Sequence, residues 1–125
     1  TFPPKIIINM IKKNNLRCGI AIKPKTPFKV IEKYLSFIDY IVIMSVEPGF
    51  GGQSFIPSTF EKIASIDAIL KEKNIRDKIA IQVDGGIKMH NAKEVIDTGT
   101  DILVAGSEVF KSDNPIETIN EMYSL

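Results

Sequence analysis

Three short apolar runs in this chain each end in bare backbone. Tyr40-Ile41-Val42-Ile43-Met44 leads into Val46-Glu47-Pro48-Gly49-Phe50-Gly51-Gly52-Gln53. Ile79-Ala80-Ile81-Gln82-Val83 runs into Asp84-Gly85-Gly86, and Ile102-Leu103-Val104-Ala105 into Gly106-Ser107. A loop with three glycines among the four residues from Gly49 to Gly52 is costly to order, because glycine loses more conformational freedom than any other residue. Such loops let N–H groups approach a ligand without side chains in the way. Three strand ends of this kind point to one phosphate-sized ligand held at one face of a parallel sheet.

Between these runs the apolar spacing turns helical. Ile6, Ile7, Met10 and Ile11 mark a helix over about Pro3 to Asn15. A strand over Arg17 to Ile22 follows. Thr26 and Pro27 then suit a helix start, and a helix to about Phe37 is expected to bury Val30, Ile31, Tyr34 and Leu35. Strand two is Tyr40 to Ser45. Ser58 or Thr59 suits the cap of a longer helix to Lys73, with Ile63, Ile66, Ile69 and Leu70 on its apolar face. Strand three, Lys78 to Val83, precedes a helix over Met89 to Asp97 that Thr98-Gly99-Thr100 stops. Strand four, Asp101 to Ala105, leads to a short helical turn over Ser107 to Phe110. Asp113-Asn114-Pro115 starts a last helix with Ile116, Ile119 and Met122 inward.

The order is a helix and then four strand-plus-helix units within residues 1–125, read as a single α/β unit. Alternating strands and helices predict a parallel sheet with right-handed crossovers, and near-continuous Ile/Val strands predict cover on both faces. An open doubly wound sheet and part of a (β/α)8 barrel both fit. The dinucleotide fingerprint is absent, since no third glycine opens a helix after Gly49-Phe50-Gly51-Gly52. The barrel reading gains from the chain's end. A glycine pair after one strand, Gly-Ser after the next and a short extra helix form the phosphate site expected after strands seven and eight of such a barrel.

Composition narrows the function classes. Of 125 residues, 44% are hydrophobic and 25% charged, which is the range of an ordinary globular domain. Sixteen basic and fifteen acidic side chains leave a formal charge of +1, which favours neither nucleic acid nor a membrane surface as partner. Cys18, the single cysteine, excludes an intrachain disulfide and reads as a buried thiol in a strand. No run reaches the ~18 apolar residues of a membrane span. The opening Thr1-Phe2-Pro3-Pro4 has neither an initiator methionine nor a signal-peptide layout, so a processed chain or a piece of a longer one is expected.

The chain resembles the ribulose-phosphate 3-epimerase family. The resemblance rests on Met44-Ser45-Val46-Glu47-Pro48-Gly49-Phe50-Gly51-Gly52-Gln53, Val83-Asp84-Gly85-Gly86-Ile87, Val104-Ala105-Gly106-Ser107-Glu108-Val109-Phe110 and Gly19-Ile20-Ala21-Ile22-Lys23-Pro24. It runs from Leu16 onward. Glycine at position 51, where allulose-phosphate epimerases tend to have alanine, favours the pentulose enzyme. The resemblance implies a (β/α)8 TIM barrel of which this chain is the C-terminal half, strands five to eight. It implies interconversion of D-ribulose 5-phosphate and D-xylulose 5-phosphate, in pentose phosphate metabolism of the cytoplasm, with one divalent metal ion (Zn, Fe, Mn or Co).

Epimerisation at C3 needs two acid/base groups, one on each side of the carbon. The resemblance makes Asp84 one of them and a metal ligand. On spacing alone, an Asp84 that merely accepts backbone hydrogen bonds in a tight turn is an equal reading. By the same resemblance Gly85, Gly86, Gly106 and Ser107 hold the substrate phosphate, Gly49, Phe50, Gly51 and Gly52 form a loop over the substrate, and Met44 lines its apolar side. For these the plain alternatives are turn chemistry, a loop packed by Phe50 and Phe55, and a core methionine. Asp101, at the opposite strand end, reads as structural, His90 as a surface or capping residue, and Glu47 and Glu108 have no clear role.

The family's two histidines and aspartate on strands two and three have no counterparts here. Asp84 alone cannot perform two-base epimerisation, so the remaining ligands are expected in the N-terminal half. A chain complete as given is expected to show little or no epimerase activity and to associate with itself or with the other half, since two strand edges stay unpaired. Another phosphate-binding barrel enzyme and a non-catalytic sugar-phosphate-binding half barrel are the rival readings.

Overall fold

The computed structural model describes residues 3–125. Thr1 and Phe2, part of the opening singled out above, lie outside the described residues. Helix α1 (Pro4–Lys13) starts on prolines that suit a first turn. The rest alternates: β1 (Gly19–Ile22), β2 (Tyr40–Met44), α2 (Ser58–Glu72), β3 (Ala80–Asp84), α3 (Met89–Gly99), β4 (Ile102–Val104), α4 (Gly106–Phe110) and α5 (Pro115–Tyr123). All strands are parallel, in the order β1-β2-β3-β4. Three crossovers join β1 to β2, β2 to β3 and β3 to β4, as expected of barrel units.

The segment before β2 departs from the expected helix. It forms two 3-10 pieces, Phe28–Val30 and Glu32–Phe37, broken at Ile31 (φ −105°, ψ −7°). No Thr26 side chain caps it, and Pro27 stands extended at its start. The β-branched pair Val30-Ile31 is a poor helix interior, and the short span back to β2 leaves no room for a long helix. Phe28, Ile31 and Leu35 are buried there, whereas Val30 is exposed. Neither Ser58 nor Thr59 caps α2, because Pro57 occupies the cap position. Asn114 does cap α5, its side-chain oxygen accepting the Glu117 N–H.

The sheet is covered on one face, not two. Ile41, Ile43, Ile81 and Val83 are fully buried and share a core with Ile63, Ile66 and Leu70 of α2 and Ala92 and Val95 of α3. Each fully buried Ile, Leu or Val contributes about 1.5–3 kcal/mol. Their neighbours Tyr40, Val42, Met44, Gln82 and Asp84 point to the opposite face and stay half-exposed, and Ala21 and Ile102 are exposed. The strands therefore alternate, because the helices lie on one side and, among the described residues, the other side of the sheet is left half-exposed. The outer layer is also bare at both ends. Of the residues whose spacing marks α1, Ile6, Ile7 and Met10 are exposed and Ile11 packs partly on the core, while Ile8 is buried. At the far end Ile116 and Tyr123 of α5 are exposed and Met122 packs partly on the core.

Two aspartates fix the strand entries alike. Asp39, just before β2, donates its N–H to Cys18 O and accepts the Cys18 N–H on its carboxylate, at 2.6 and 2.7 Å. Asp101, just before β4, does the same with Ile81, at 2.8 and 2.7 Å. Asp101 is thus structural, as its position at the entry end predicts. Cys18 is buried, and that burial, with the nearby Asp39 charge, pushes its thiol up.

Candidate functional site at the carboxyl ends of the strands

Parallel pairing places Met44 beside Asp84 and Asp84 beside Val104. These three side chains form one row across β2, β3 and β4, on the uncovered face and at the carboxyl edge. Beyond the row lies a pocket of ≈ 380 Å³, within the size range of small-molecule sites. Its walls include Met44, Gly49, Phe50, Gly51, Gly52, Asp84, Gly85, Gly86, Gly106 and Ser107, so the residues selected from the sequence converge on one cavity. Val46, Pro48, Gln53, Ile87 and Val104 join them.

Asp84 is the last residue of β3 rather than the first of a turn. The carboxylates of Asp39 and Asp101 each accept a backbone N–H, but among the described residues Asp84's accepts none. That removes the turn-stabilising reading and leaves a half-exposed carboxylate facing the pocket. Gly85 and Gly86 take φ of +129° and +66°. A Cβ on Gly86 would run into the Phe55 backbone, so this glycine is required by close approach as well as by φ.

The glycine loop is tied at its base. Gln53 donates its amide to the carbonyl oxygens of Glu47 and Phe50, at 2.6 and 3.0 Å. Phe55 packs on Phe60 with ring centroids 4.9 Å apart, whereas Phe50 is 71% exposed, so Phe55 anchors the loop and Phe50 is free at its tip. Ser45 is fully buried beneath it. Its N–H donates to Asp84 O at 2.9 Å, and its carbonyl oxygen accepts the Ile56 N–H at 2.8 Å.

The sequence reading missed the residues that hold the turn after β3. Buried Asn91 accepts the Lys88 N–H at 2.8 Å and donates to Gly86 O at 3.0 Å. Glu108, left without a role above, accepts the Met89 N–H at 3.0 Å and pairs with the Lys88 ammonium at 3.3 Å. The hydrogen bond from Met89 holds the Glu108 carboxyl below its usual range, against some desolvation and with help from Lys88. The only sequence signal was an amide and a carboxylate near glycine turns, which does not specify partners. His90 is exposed.

Among the described residues no three His, Cys, Asp or Glu side chains come together. Asp84 offers one carboxylate, at most two oxygen donors, short of the four to six ligands a divalent cation usually takes. This stretch of chain alone therefore does not make a metal site.

The profile of the "Ribulose-phosphate 3 epimerase family" matches residues 2–110 of the chain. The chain belongs to this family. It is 38% identical to the ribulose-phosphate 3-epimerase of Escherichia coli (strain K12) over 117 residues, covering 94% of this chain and 51% of that protein. It is 43% identical to the chloroplastic ribulose-5-phosphate-3-epimerase of Arabidopsis thaliana over 112 residues, 90% of this chain and 39% of that protein. The chain thus spans about half the length of the curated relatives it matches, or less. Among solved structures, a double mutant of flavocytochrome b2 with pyruvate bound superposes with a TM-score of 0.68 at 22% identity, over 98% of this chain and 32% of that one. That likeness concerns the fold alone. Together with the parallel four-strand sheet, it agrees with a half barrel of the TIM type, as expected of an epimerase-family chain. No helix among the described residues is long and apolar enough to cross a membrane.

Proposed function

We propose that residues 1–125 are the C-terminal half of a ribulose-phosphate 3-epimerase barrel, supplying its phosphate cradle and one of two acid/base carboxylates. The observation that carries this is the free Asp84 carboxylate on the pocket-facing row, beside Gly85, Gly86, Gly106 and Ser107. A pentulose 5-phosphate would lie with its phosphate on those N–H groups and the Ser107 hydroxyl. C3 would then lie over the Met44–Asp84–Val104 row. Asp84 would take or return the C3 proton from one face, and a second group from the other half would act on the opposite face. The Gly49–Gly52 loop would close over the substrate and exclude water.

The family's divalent cation (Zn, Fe, Mn or Co) would take Asp84 as one ligand and the rest from the other half, and when bound it supplies charge stabilisation for the enediolate. The covering partner would be that other half, or a second copy of this chain. The bare inner face and the exposed apolar residues at both ends of the helical layer support such a partner. The setting would be cytoplasmic pentose phosphate metabolism.

The test is proton exchange at C3 of ribulose 5-phosphate in deuterated water, followed by NMR with the chain, a divalent metal and a complementary N-terminal half barrel from a relative. Exchange with xylulose 5-phosphate formation, lost in Asp84→Asn, is expected. Phosphate binding without exchange in the complemented sample would instead favour a sugar-phosphate-binding half barrel. Exchange by the chain alone would overturn the need for a second half.

A further inference from the structure

We propose that Lys88 is a positioning residue of the phosphate cradle, acting through Ser107. The inference rests on the reading of that cradle given above. The Lys88 ammonium donates to Ser107 Oγ at 2.8 Å. An ammonium has no acceptor, so in this contact the serine oxygen accepts and its own proton must point elsewhere. Ser107 lines the pocket, so the hydroxyl proton is free to turn toward an anion there. Without Lys88 the hydroxyl could rotate and present a lone pair to the phosphate instead.

Lys88 is itself held at both ends. Its N–H is fixed by Asn91, and its ammonium sits between Ser107 and Glu108, whose other oxygen is fixed by the Met89 N–H. A lysine side chain ordinarily loses much rotamer freedom when it binds, but here that loss is taken on folding. The same Asn91 holds Gly86 O, so the lysine, the glycine turn and the serine form one connected unit. The group this unit suits is the phosphate monoester end of a ligand, which accepts from a donor hydroxyl; Glu108 offsets the Lys88 charge, so the lysine's part is to orient the serine.

The experiment is titration of the 125-residue chain with inorganic phosphate, followed by amide shifts of Gly85, Gly86 and Gly106. It is repeated on Lys88→Met, Lys88→Arg, Ser107→Ala and the Lys88→Met/Ser107→Ala double variant, each checked for its fold by circular dichroism. Loss of the oriented Ser107 donor predicts about tenfold weaker binding for Lys88→Met, with Lys88→Arg recovering most of it. If Lys88 acts through Ser107, the same change on the Ser107→Ala background costs about threefold or less. Equal binding by Lys88→Met and the unaltered chain overturns this inference and leaves the cradle standing. An undiminished tenfold loss on the Ser107→Ala background overturns the action through Ser107. No amide shifts in the unaltered chain would overturn the cradle and this inference with it.

Discussion

The Ser45 hydroxyl donates to the Gly85 carbonyl oxygen at 2.5 Å, joining the end of β2 to the turn after β3. Ser45 is fully buried, so removing its hydroxyl leaves a small gap and takes the donor from a carbonyl oxygen at the pocket wall. Ser45→Ala is expected to cost about 0.5–1.5 kcal/mol in urea unfolding. It should also broaden the Gly85 and Gly86 amide signals. An unchanged unfolding midpoint would mean that water replaces the hydroxyl at no loss.

Gly86 and Gly106 both border the pocket, yet they answer to different constraints. Gly86 has φ of +66° and its missing Cβ would meet the Phe55 backbone, whereas a Cβ on Gly106 meets nothing within 4 Å. Gly86→Ala should destabilise by more than about 1 kcal/mol and abolish phosphate-dependent shifts. Gly106→Ala should unfold at nearly the unaltered midpoint. Equal stability of the two variants would contradict the crowding at Phe55.

Much of this site could be read in the sequence because its chemistry sits in local patterns. A strand ending in Asp84-Gly85-Gly86 puts a carboxylate and bare amides at a carboxyl edge whatever the rest of the chain does. The contacts of Lys88 and Glu108 could not be read that way. Glu108 finds Met89 across 19 residues, and only the pairing of β3 with β4 brings them together. The one-sided sheet was hidden for a related reason. Tyr40, Val42, Met44 and Ala80 make the second face apolar enough to read as covered, and only the placement of the helices decides which face is covered. The 3-10 pieces before β2 reflect local crowding at Val30-Ile31 that apolar spacing does not record.

Arg76 holds the opposite end of the sheet. Its guanidinium donates to Asp67 at 2.5 Å and Asp101 at 3.0 Å, and to the carbonyl oxygens of Ile79 and Gly99 at 3.2 and 3.0 Å. Arg76→Met keeps the apolar stem but leaves two carboxylates and two carbonyl oxygens without this donor. The expected cost is about 2 kcal/mol in urea unfolding, since the cluster is only partly buried. Phosphate affinity should stay within twofold, because the cluster lies at the strand entries, away from the pocket. A large loss of affinity with little loss of stability would contradict that separation.

Acid should weaken the fold through three carboxylates. The Cys18 N–H holds the Asp39 carboxyl below its ordinary 3.8, against some desolvation and with help from Lys12. Burial pushes the Asp67 carboxyl up, but the hydrogen bonds and charges of Lys71 and Arg76 outweigh it and leave it below 3.8. Glu108 lies below its ordinary 4.5 through the Met89 N–H. A carboxyl whose folded value is depressed stabilises the fold fully above its unfolded value, and that contribution is lost as pH falls through the folded one. The urea midpoint should therefore be flat from neutral pH down to about 5 and then fall steadily through pH 4 and 3. Asp67→Asn should lower the midpoint at neutral pH and flatten the fall on acidification. A slope in Asp67→Asn as steep as in the unaltered chain would show that the Arg76 cluster is not among the groups that acid releases.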